Sequence, residues 1–338
     1  MNLLPQLLQR LSMHAVQRSH PRVSLVEIQG SETIASIYNR AGSAYVAYAD
    51  GDPEHLFDFS GPHAYADRCL WSVLDGKLTE LRARGAQVVR ILDAGCGPGT
   101  WLRRLVTRAL ELGFSNIIAR GFDVAETQIR TARDLGQRLS ELPGVVLVFD
   151  VADLTEPLPE ADGSVDLTLC LYSVLSHLPA ESLPRVSAEM ARVTRGHFVA
   201  TVRSVGSTPS IFVDSVEKAR HFQHDHERDL CRVELYDGRS FVLRFHLFTA
   251  AEFRDSFADR FVVEDLRGLD LFHSRFVQDP RWNPASLASD RVSRDHLDRL
   301  EDTYARLPGF MEQANHFMLV GRPIAGDAPS ASLSLVEA

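Results

Sequence analysis

Apolar residues follow two different periods along the chain. From Val88 onward, short runs of branched apolar residues alternate with longer stretches in which apolar residues recur every three or four positions. Short branched runs are typical of strands buried on both faces of a parallel sheet, and the longer stretches are typical of amphipathic helices. The alternation predicts an α/β domain that has helices on both faces of its sheet.

The predicted elements of this domain follow one another in chain order. The strands are expected at 88–92, 116–123 and 145–149, from 166 onward, and at 197–205, 261–264 and 316–320. The helices are expected at 101–110, 129–135, 181–193 and 294–306, with a further helix opened by a capping box at Thr249 and Glu252.

The regions outside this α/β pattern differ from it in character. Residues 1–87 are predicted to form a helical N-terminal region or cap, and residues 325–338 a loose C-terminal tail. The first helix has one apolar stripe, which fits packing against the body or against a second subunit in a homodimer: Leu3, Leu4, Leu7, Leu8 and Leu11.

An insertion at residues 206–248 interrupts the sheet within the domain of residues 88–324. It contains two alternating runs, Cys231–Tyr236 and Phe241–Phe248, separated by a hairpin-turn signal at Asp237 and Gly238. On the second run, Arg244 and His246 are expected to share one face.

Charge and composition exclude several classes of protein. The chain has 338 residues, a formal net charge of −9 and a pI near 5.8, which argues against binding to nucleic acid or to an anionic membrane surface. Its four cysteines form no C-x-x-C pair, so neither a disulfide framework nor a zinc knuckle is indicated. No apolar run reaches transmembrane length, and a cytoplasmic location is expected.

The candidate ligand site begins where the first strand ends. Asp93 closes that strand, and Gly95, Gly97 and Gly99 follow at alternate positions, where they allow a sharp turn and a close approach of a ligand to the backbone. A dinucleotide fingerprint requires a third glycine where Thr100 stands, and a phosphate-binding loop requires a Lys followed by Ser or Thr, which this loop lacks.

The segment V-V-R-I-L-D-A-G-C-G-P-G-T, residues 88–100, closely resembles the first motif of class I S-adenosylmethionine-dependent methyltransferases. The resemblance extends to about residue 205 through four motifs in the same order. It implies a doubly wound, Rossmann-like sheet of seven strands whose last strand is antiparallel, and S-adenosylmethionine as the cofactor. The positions that it assigns to the cofactor in this first motif are Asp93, Gly95, Cys96, Gly97 and Gly99.

Two later acidic positions complete the predicted cofactor site. Asp123, followed by Val124, ends the second strand, where a carboxylate can accept hydrogen bonds from both ribose hydroxyls. After the third strand, the resemblance assigns the adenine contacts to Asp153 and Leu154, which lie at the usual spacing before Asp166. Asp150 remains the alternative to Asp153.

Aromatic residues and one histidine mark the predicted acceptor side. Leu171, Tyr172 and His177 follow the fourth strand. The resemblance implies that Leu171 contacts the cofactor and Tyr172 the acceptor. It implies for His177 either a catalytic role or a role in orienting the loop. Residues 37–45 resemble a segment that crosses over the cofactor in many small-molecule methyltransferases; Tyr38 and Tyr45 are its matching positions, and Asn39 replaces the usual Asp.

The function expected is methyl transfer to a small-molecule metabolite, with the insertion as a lid over the acceptor. Polar side chains of the insertion are expected to bind that acceptor, with His224 also a catalytic candidate: His221, His224, Arg244 and His246. If His221 and His224 lie on a helix they share a face, and with His226 they fit a metal site; the preferred expectation is that no metal is bound. Three alternatives remain: an S-adenosylmethionine (SAM)-binding enzyme of other chemistry, a SAM sensor, and a nicotinamide oxidoreductase.

Overall fold

Strands and helices alternate along most of the chain, as the two apolar periods predict. The computed structural model describes residues 33–40, 55–59, 64–207, 219–236, 238, 240–273 and 291–324. The strands are β1 Val88–Ala94, β2 Asn116–Asp123, β3 Val145–Val151, β4 Val165–Cys170, β5 Thr194–Arg203, β6 Ala219–Asp225, β7 Leu230–Leu235, β8 Ser240–Arg244, β9 Phe261–Leu269 and β10 His316–Pro323.

The described helices precede the first strand or connect the later ones. They are α1 at 34–40, α2 Ala64–Ala83, α3 Thr100–Glu111, α4 Glu126–Ser140, α5 Leu183–Val193, α6 Ala250–Ala258, α7 Arg291–Tyr304 and α8 Pro308–Met311. Thr249 caps α6 by accepting the Glu252 N–H, which confirms the predicted capping box.

Seven strands form one sheet in the order β3-β2-β1-β4-β5-β10-β9. Strands β1 to β5 pair in parallel, whereas β10 is antiparallel to both β5 and β9. This topology confirms the predicted Rossmann-like fold with an antiparallel last strand. Because the parallel strands end at one edge of the sheet, the loops after β1, β2, β3 and β4 meet there.

The two faces of the sheet are covered by different helices. One core contains apolar residues of α2, α3 and α4, such as Leu74, Leu105 and Ile129. The other contains residues of α5 and α6, such as Met190 and Phe253. All six residues of β4 are buried, as expected for the central strand of a sheet that has helices on both faces.

The insertion folds into a separate antiparallel sheet in the order β6-β7-β8, here named the lid sheet after the role that the sequence predicts for it. The predicted hairpin is confirmed, but a further strand precedes it. His221 and His224 lie on this strand, β6, so the helix face assumed for them is wrong: residues three apart in a strand point to opposite faces. The alternating run of β8 also stops at Arg244, so His246 lies beyond the strand.

Several predictions fall outside the described residues. These are the apolar stripe of residues 3–11 with its homodimer interface, Tyr45, and the C-terminal tail. Among the described helices, none combines the length and the apolar character that crossing a membrane requires.

Candidate cofactor and acceptor site

The glycine loop after β1 is shaped by three residues in left-handed backbone. Gly95, Gly97 and Gly99 have φ angles of 78°, 50° and 78°. A Cβ on Gly95 would stand 2.3 Å from a methyl group of Val174, in the loop that follows β4. The loop therefore approaches the β4 exit more closely than a side chain at position 95 allows.

Asp123 joins the second strand to this loop. Its Oδ2 accepts the Gly97 N–H over 3.0 Å, and its Oδ1 accepts the Ala125 N–H over 2.9 Å. Burial raises the pKa of Asp123 above its ordinary value, while the N–H groups of Ala125, Gly97 and Val124 oppose that rise. Its carboxylate is thus held at the edge where the parallel strands end.

Asp93 and Cys96 lie deeper beneath the loop. Asp93 is 2% exposed, and burial, with a smaller effect of the Asp123 charge, raises its pKa to about 7. Cys96 is buried, and its thiol occupies space that a Cβ on Gly121 would fill. Burial also raises the pKa of Cys96, so the thiol is protonated and acts as an apolar packing group.

The two acids considered for the adenine contact differ in their surroundings. Asp150 lies within β3 and pairs with Arg120 over 2.9 Å, and Arg120 also pairs with Glu160. Asp153 lies beyond the strand, is exposed, and accepts the Thr155 N–H over 2.8 Å, while Leu154 beside it is buried. Of the two carboxylates, only that of Asp150 is committed to an arginine among the described contacts.

Tyr172 and Ser173 leave β4 in left-handed backbone, with φ angles of 49° and 69°. Two successive non-glycine residues in this conformation are strained and need support from their surroundings. Thr201 Oγ1 accepts the Tyr172 N–H over 2.7 Å, and the Tyr172 hydroxyl donates to Asp67 of α2. Leu171, immediately before them, is buried.

His177 is held by two hydrogen bonds. Because the Arg244 carbonyl can only accept, His177 Nδ1 carries the proton and donates to it over 3.0 Å. Nε2 is then the acceptor for the Tyr38 hydroxyl, 2.9 Å away. Burial lowers the pKa of His177 to about 4, which keeps the imidazole neutral at physiological pH.

The remaining predicted residues of the insertion have varied surroundings. His221 is exposed, and His224 donates from Nε2 to the Phe245 carbonyl over 2.7 Å. His246 lies between two carboxylates, 2.8 Å from Asp229 and 2.7 Å from Glu252. Across the described ranges, no group of three or more His, Cys, Asp and Glu side chains is arranged to hold a metal ion.

Three residues with supporting roles were not predicted from the sequence as functional. Asp67 and Thr201 hold Tyr172, and Asn39 accepts the Thr127 N–H over 2.9 Å at the start of α4. Only Asn39 gave a signal in the sequence, as the departure from the usual Asp after Tyr38.

The fold is an α/β domain of the kind that binds nucleotides. At the edge where its parallel strands end, it has a glycine loop and an acid at the end of the second strand. Residues 91–197 match the family model described as a methyltransferase domain. This match covers about a third of the chain and agrees with the resemblance of the sequence to class I S-adenosylmethionine-dependent methyltransferases, whose cofactor is S-adenosylmethionine. The glycine loop and the fixed carboxylate of Asp123 fit an adenosyl group at this edge.

Several solved structures are similar to this chain. A SAM-dependent methyltransferase from Methanosarcina mazei is 16% identical, with 70% of this chain and 93% of that chain covered and a TM-score of 0.43. The CcbJ methyltransferase from Streptomyces caelestis is 15% identical over 74% and 90%, with a TM-score of 0.44. The [4+2]-cyclase SpnF is 20% identical over 74% and 81%, with a TM-score of 0.40. No curated protein sequence matches the chain.

Proposed function

We propose that this protein transfers the methyl group of S-adenosylmethionine to a small-molecule acceptor. The observation that carries the proposal is the junction of Asp123 with the glycine loop, where both carboxylate oxygens accept backbone N–H groups at the edge on which such folds bind ligands. A carboxylate fixed in this way retains further lone pairs for ribose hydroxyls.

The sulfonium of the cofactor supplies an already activated methyl group, so the chain's own residues mainly bind and orient. Gly95, Gly97 and Gly99 allow the backbone to approach the ligand, and Asp123 fixes the sugar. Asp153 and Leu154 are the proposed adenine contacts. Tyr172, held by Asp67 and Thr201, is the proposed wall between cofactor and acceptor.

His177 is proposed to act on the acceptor only through Tyr38. Its Nε2 already accepts the Tyr38 hydroxyl, and a pKa of about 4 makes it a weak base. His224 is likewise engaged through Nε2 with the Phe245 carbonyl, so its proposed role is to hold the lid sheet. An acceptor that arrives unprotonated, or that loses its proton to water, needs no stronger base.

A small acceptor is favoured over nucleic acid by the charge of the chain. The formal net charge is −9, and neutralising a phosphate backbone requires clustered cations. His221, Arg244 and the acceptor-side Tyr172 are proposed to contact this small acceptor, with His246 holding the lid sheet to α6 through Glu252.

The test is incubation of the protein with methyl-labelled S-adenosylmethionine and a metabolite extract, followed by mass spectrometry of the products. We expect one labelled small molecule whose yield falls when Asp123→Ala replaces the wild type at limiting S-adenosylmethionine. Cofactor binding without label transfer would favour a SAM sensor or other chemistry. Absence of binding in calorimetry would overturn the proposal.

A further inference from the structure

Helix α1 belongs to the hydrophobic core of the lid sheet. Ile37 is 1% exposed and lies in one cluster with apolar residues of β7 and β8 and the residue after them: Cys231, Val233, Leu243 and Phe245. Ile34, one turn earlier, packs against the same cluster. A helix from the N-terminal region and an insertion about 200 residues later therefore share one small core.

The same helix caps α4 at the cofactor edge. Ala125, the N-cap residue of α4, has no side-chain oxygen with which to accept the free N–H groups of the first turn. Asn39 Oδ1 accepts the Thr127 N–H over 2.9 Å instead, and Thr127 Oγ1 donates to the Asn39 carbonyl over 3.2 Å. The Gln128 amide adds a hydrogen bond to the Tyr38 carbonyl.

This cap lies beside the proposed ribose ligand. Asp123 accepts the N–H of Ala125, two residues before Thr127. The carboxylate of Asp123 and the side chain of Asn39 thus accept N–H groups two residues apart at one helix N-terminus. Displacing α1 would uncap α4 at the point where Asp123 is fixed.

A third contact connects α1 to the loop that follows β4. The Tyr38 hydroxyl donates to His177, and His177 donates in turn to the Arg244 carbonyl at the end of β8. If the lid sheet moves away from the seven-stranded sheet, the hydrogen bond between His177 and Arg244 must break. In addition, α1 must lose either its hydrogen bond to His177 or its packing against the lid sheet.

We propose that Asn39 is a positioning residue that couples the lid sheet to the cofactor site. Cofactor bound against Asp123 stabilises the start of α4, which holds α1 through Asn39, and α1 holds the lid sheet through Ile37. By linkage, the factor by which bound cofactor favours this position of the lid sheet equals the factor by which this position raises cofactor affinity. The coupling rests on the proposed function for the identity of the ligand, and S-adenosylhomocysteine is the probe.

The first experiment measures S-adenosylhomocysteine affinity by calorimetry in Asn39 variants. We expect Asn39→Ala to weaken binding about 3- to 30-fold, the range for loss of a helix cap. Asn39→Asp should retain affinity because its carboxylate also accepts the Thr127 N–H. Ser36→Ala, at an exposed position on the same helix, is the matched control and should bind as the wild type does.

The second experiment perturbs the lid core itself. Leu243→Ala removes a buried side chain that packs with Ile37, whereas Val242→Ala truncates the opposite face of the same strand. We expect only Leu243→Ala to weaken S-adenosylhomocysteine binding. Equal affinities for Asn39→Ala and Ser36→Ala, or for Leu243→Ala and Val242→Ala, would overturn the coupling.

Hydrogen exchange separates failure of the coupling from failure of the proposed function. Without ligand, Asn39→Ala should exchange faster than Ser36→Ala in α1, β7 and β8, a result that requires no cofactor. With S-adenosylhomocysteine, β7 and β8 should be protected in the wild type but not in Asn39→Ala. A wild type that binds no S-adenosylhomocysteine would sink the function alone; unchanged exchange in ligand-free Asn39→Ala would sink the coupling alone.

Discussion

The backbone N–H of Gly97 donates to the carboxylate of Asp123 over 3.0 Å, across the gap between the loop after β1 and the end of β2. The second oxygen of Asp123 accepts the Ala125 N–H. One side chain therefore fixes both the glycine loop and the start of α4, and it reaches the edge where the cofactor is expected.

Removal of this carboxylate should weaken cofactor binding. Asp123→Ala is expected to cost about 1–3 kcal/mol of S-adenosylmethionine binding free energy, the range for hydrogen bonds to a charged group. Asp123→Asn should lose less, because one oxygen remains as an acceptor. Calorimetry on folded variants measures both, and unchanged affinity in Asp123→Ala would falsify the assignment.

A methyl group at Gly95 should damage the site through a steric clash as well as through backbone strain. Gly95→Ala would place its Cβ 2.3 Å from Val174, at a φ of 78°. Gly85→Ala is the matched control, because Gly85 has a φ of 89° and nothing within 4 Å of the added carbon.

We expect Gly85→Ala to cost about 1–2 kcal/mol of unfolding free energy from the left-handed backbone alone. Gly95→Ala should cost about 1–3 kcal/mol more from overpacking and should also lose cofactor affinity. Urea unfolding and calorimetry measure the two effects. Equal stability of the two variants would show that the contact with Val174 is readily relieved.

Much of the sheet could be predicted from the sequence because its signals are local. β2 was predicted at its observed bounds, since a branched apolar run there ends on an acid before a helical period. β9 was predicted as 261–264 but extends to Leu269. Its second half was missed because Asp265, Arg267 and Gly268 interrupt the apolar pattern of a covered strand.

The supporting side chains of the site could not be predicted, because their partners are distant in sequence. Asp67 meets Tyr172 across 105 residues, and Asn39 meets Thr127 across 88. Neither pair has a spacing or a residue pattern that distinguishes it from other polar residues on helices. The strand β6 was missed because its charged, histidine-rich sequence lacks the strict alternation of apolar and polar residues that marks a half-buried strand.

The support of Tyr172 by Asp67 gives a further prediction. Asp67→Ala leaves the buried Tyr172 hydroxyl without this acceptor, at a residue whose backbone is already strained. We expect a loss of about 1–3 kcal/mol in unfolding free energy. Asp67→Asn should recover most of it because the amide oxygen accepts the same hydrogen bond. If urea unfolding gives the same loss for both, the hydrogen bond is not the source of the stability.

The protonation state of His177 can be tested directly. Burial lowers its pKa to about 4, below the ordinary 6.5, so its contribution to stability is present above pH 6.5 and is lost as the pH falls toward 4. Nitrogen-15 spectra should show the proton on Nδ1 at pH 7 and no titration between pH 8 and 5. The His177 signal is the one that disappears from the spectrum of His177→Gln. Titration near pH 6.5 would contradict the buried Tyr38–His177 contact.

Glu301 connects α7 to the segment after β9 and should make stability depend on pH. Its fully buried carboxylate accepts the N–H groups of Leu271, Phe272 and His273. Burial raises its pKa from an ordinary 4.5 to about 7, with Asp270 adding to the rise and the three N–H groups opposing it.

Because the folded-state pKa of Glu301 is the higher one, folding favours its protonated form. The resulting stability is fully present below pH 4.5 and is lost as the pH rises through 7. Glu301→Gln stays neutral throughout, while groups such as Asp93 and His197 titrate in both proteins and cancel in the comparison. From pH 5 to pH 8, the unfolding free energy of the wild type should therefore fall by about 1–3 kcal/mol relative to that of Glu301→Gln. Urea unfolding at several pH values measures this difference, and parallel curves for the two proteins would mean that Glu301 remains ionised when buried.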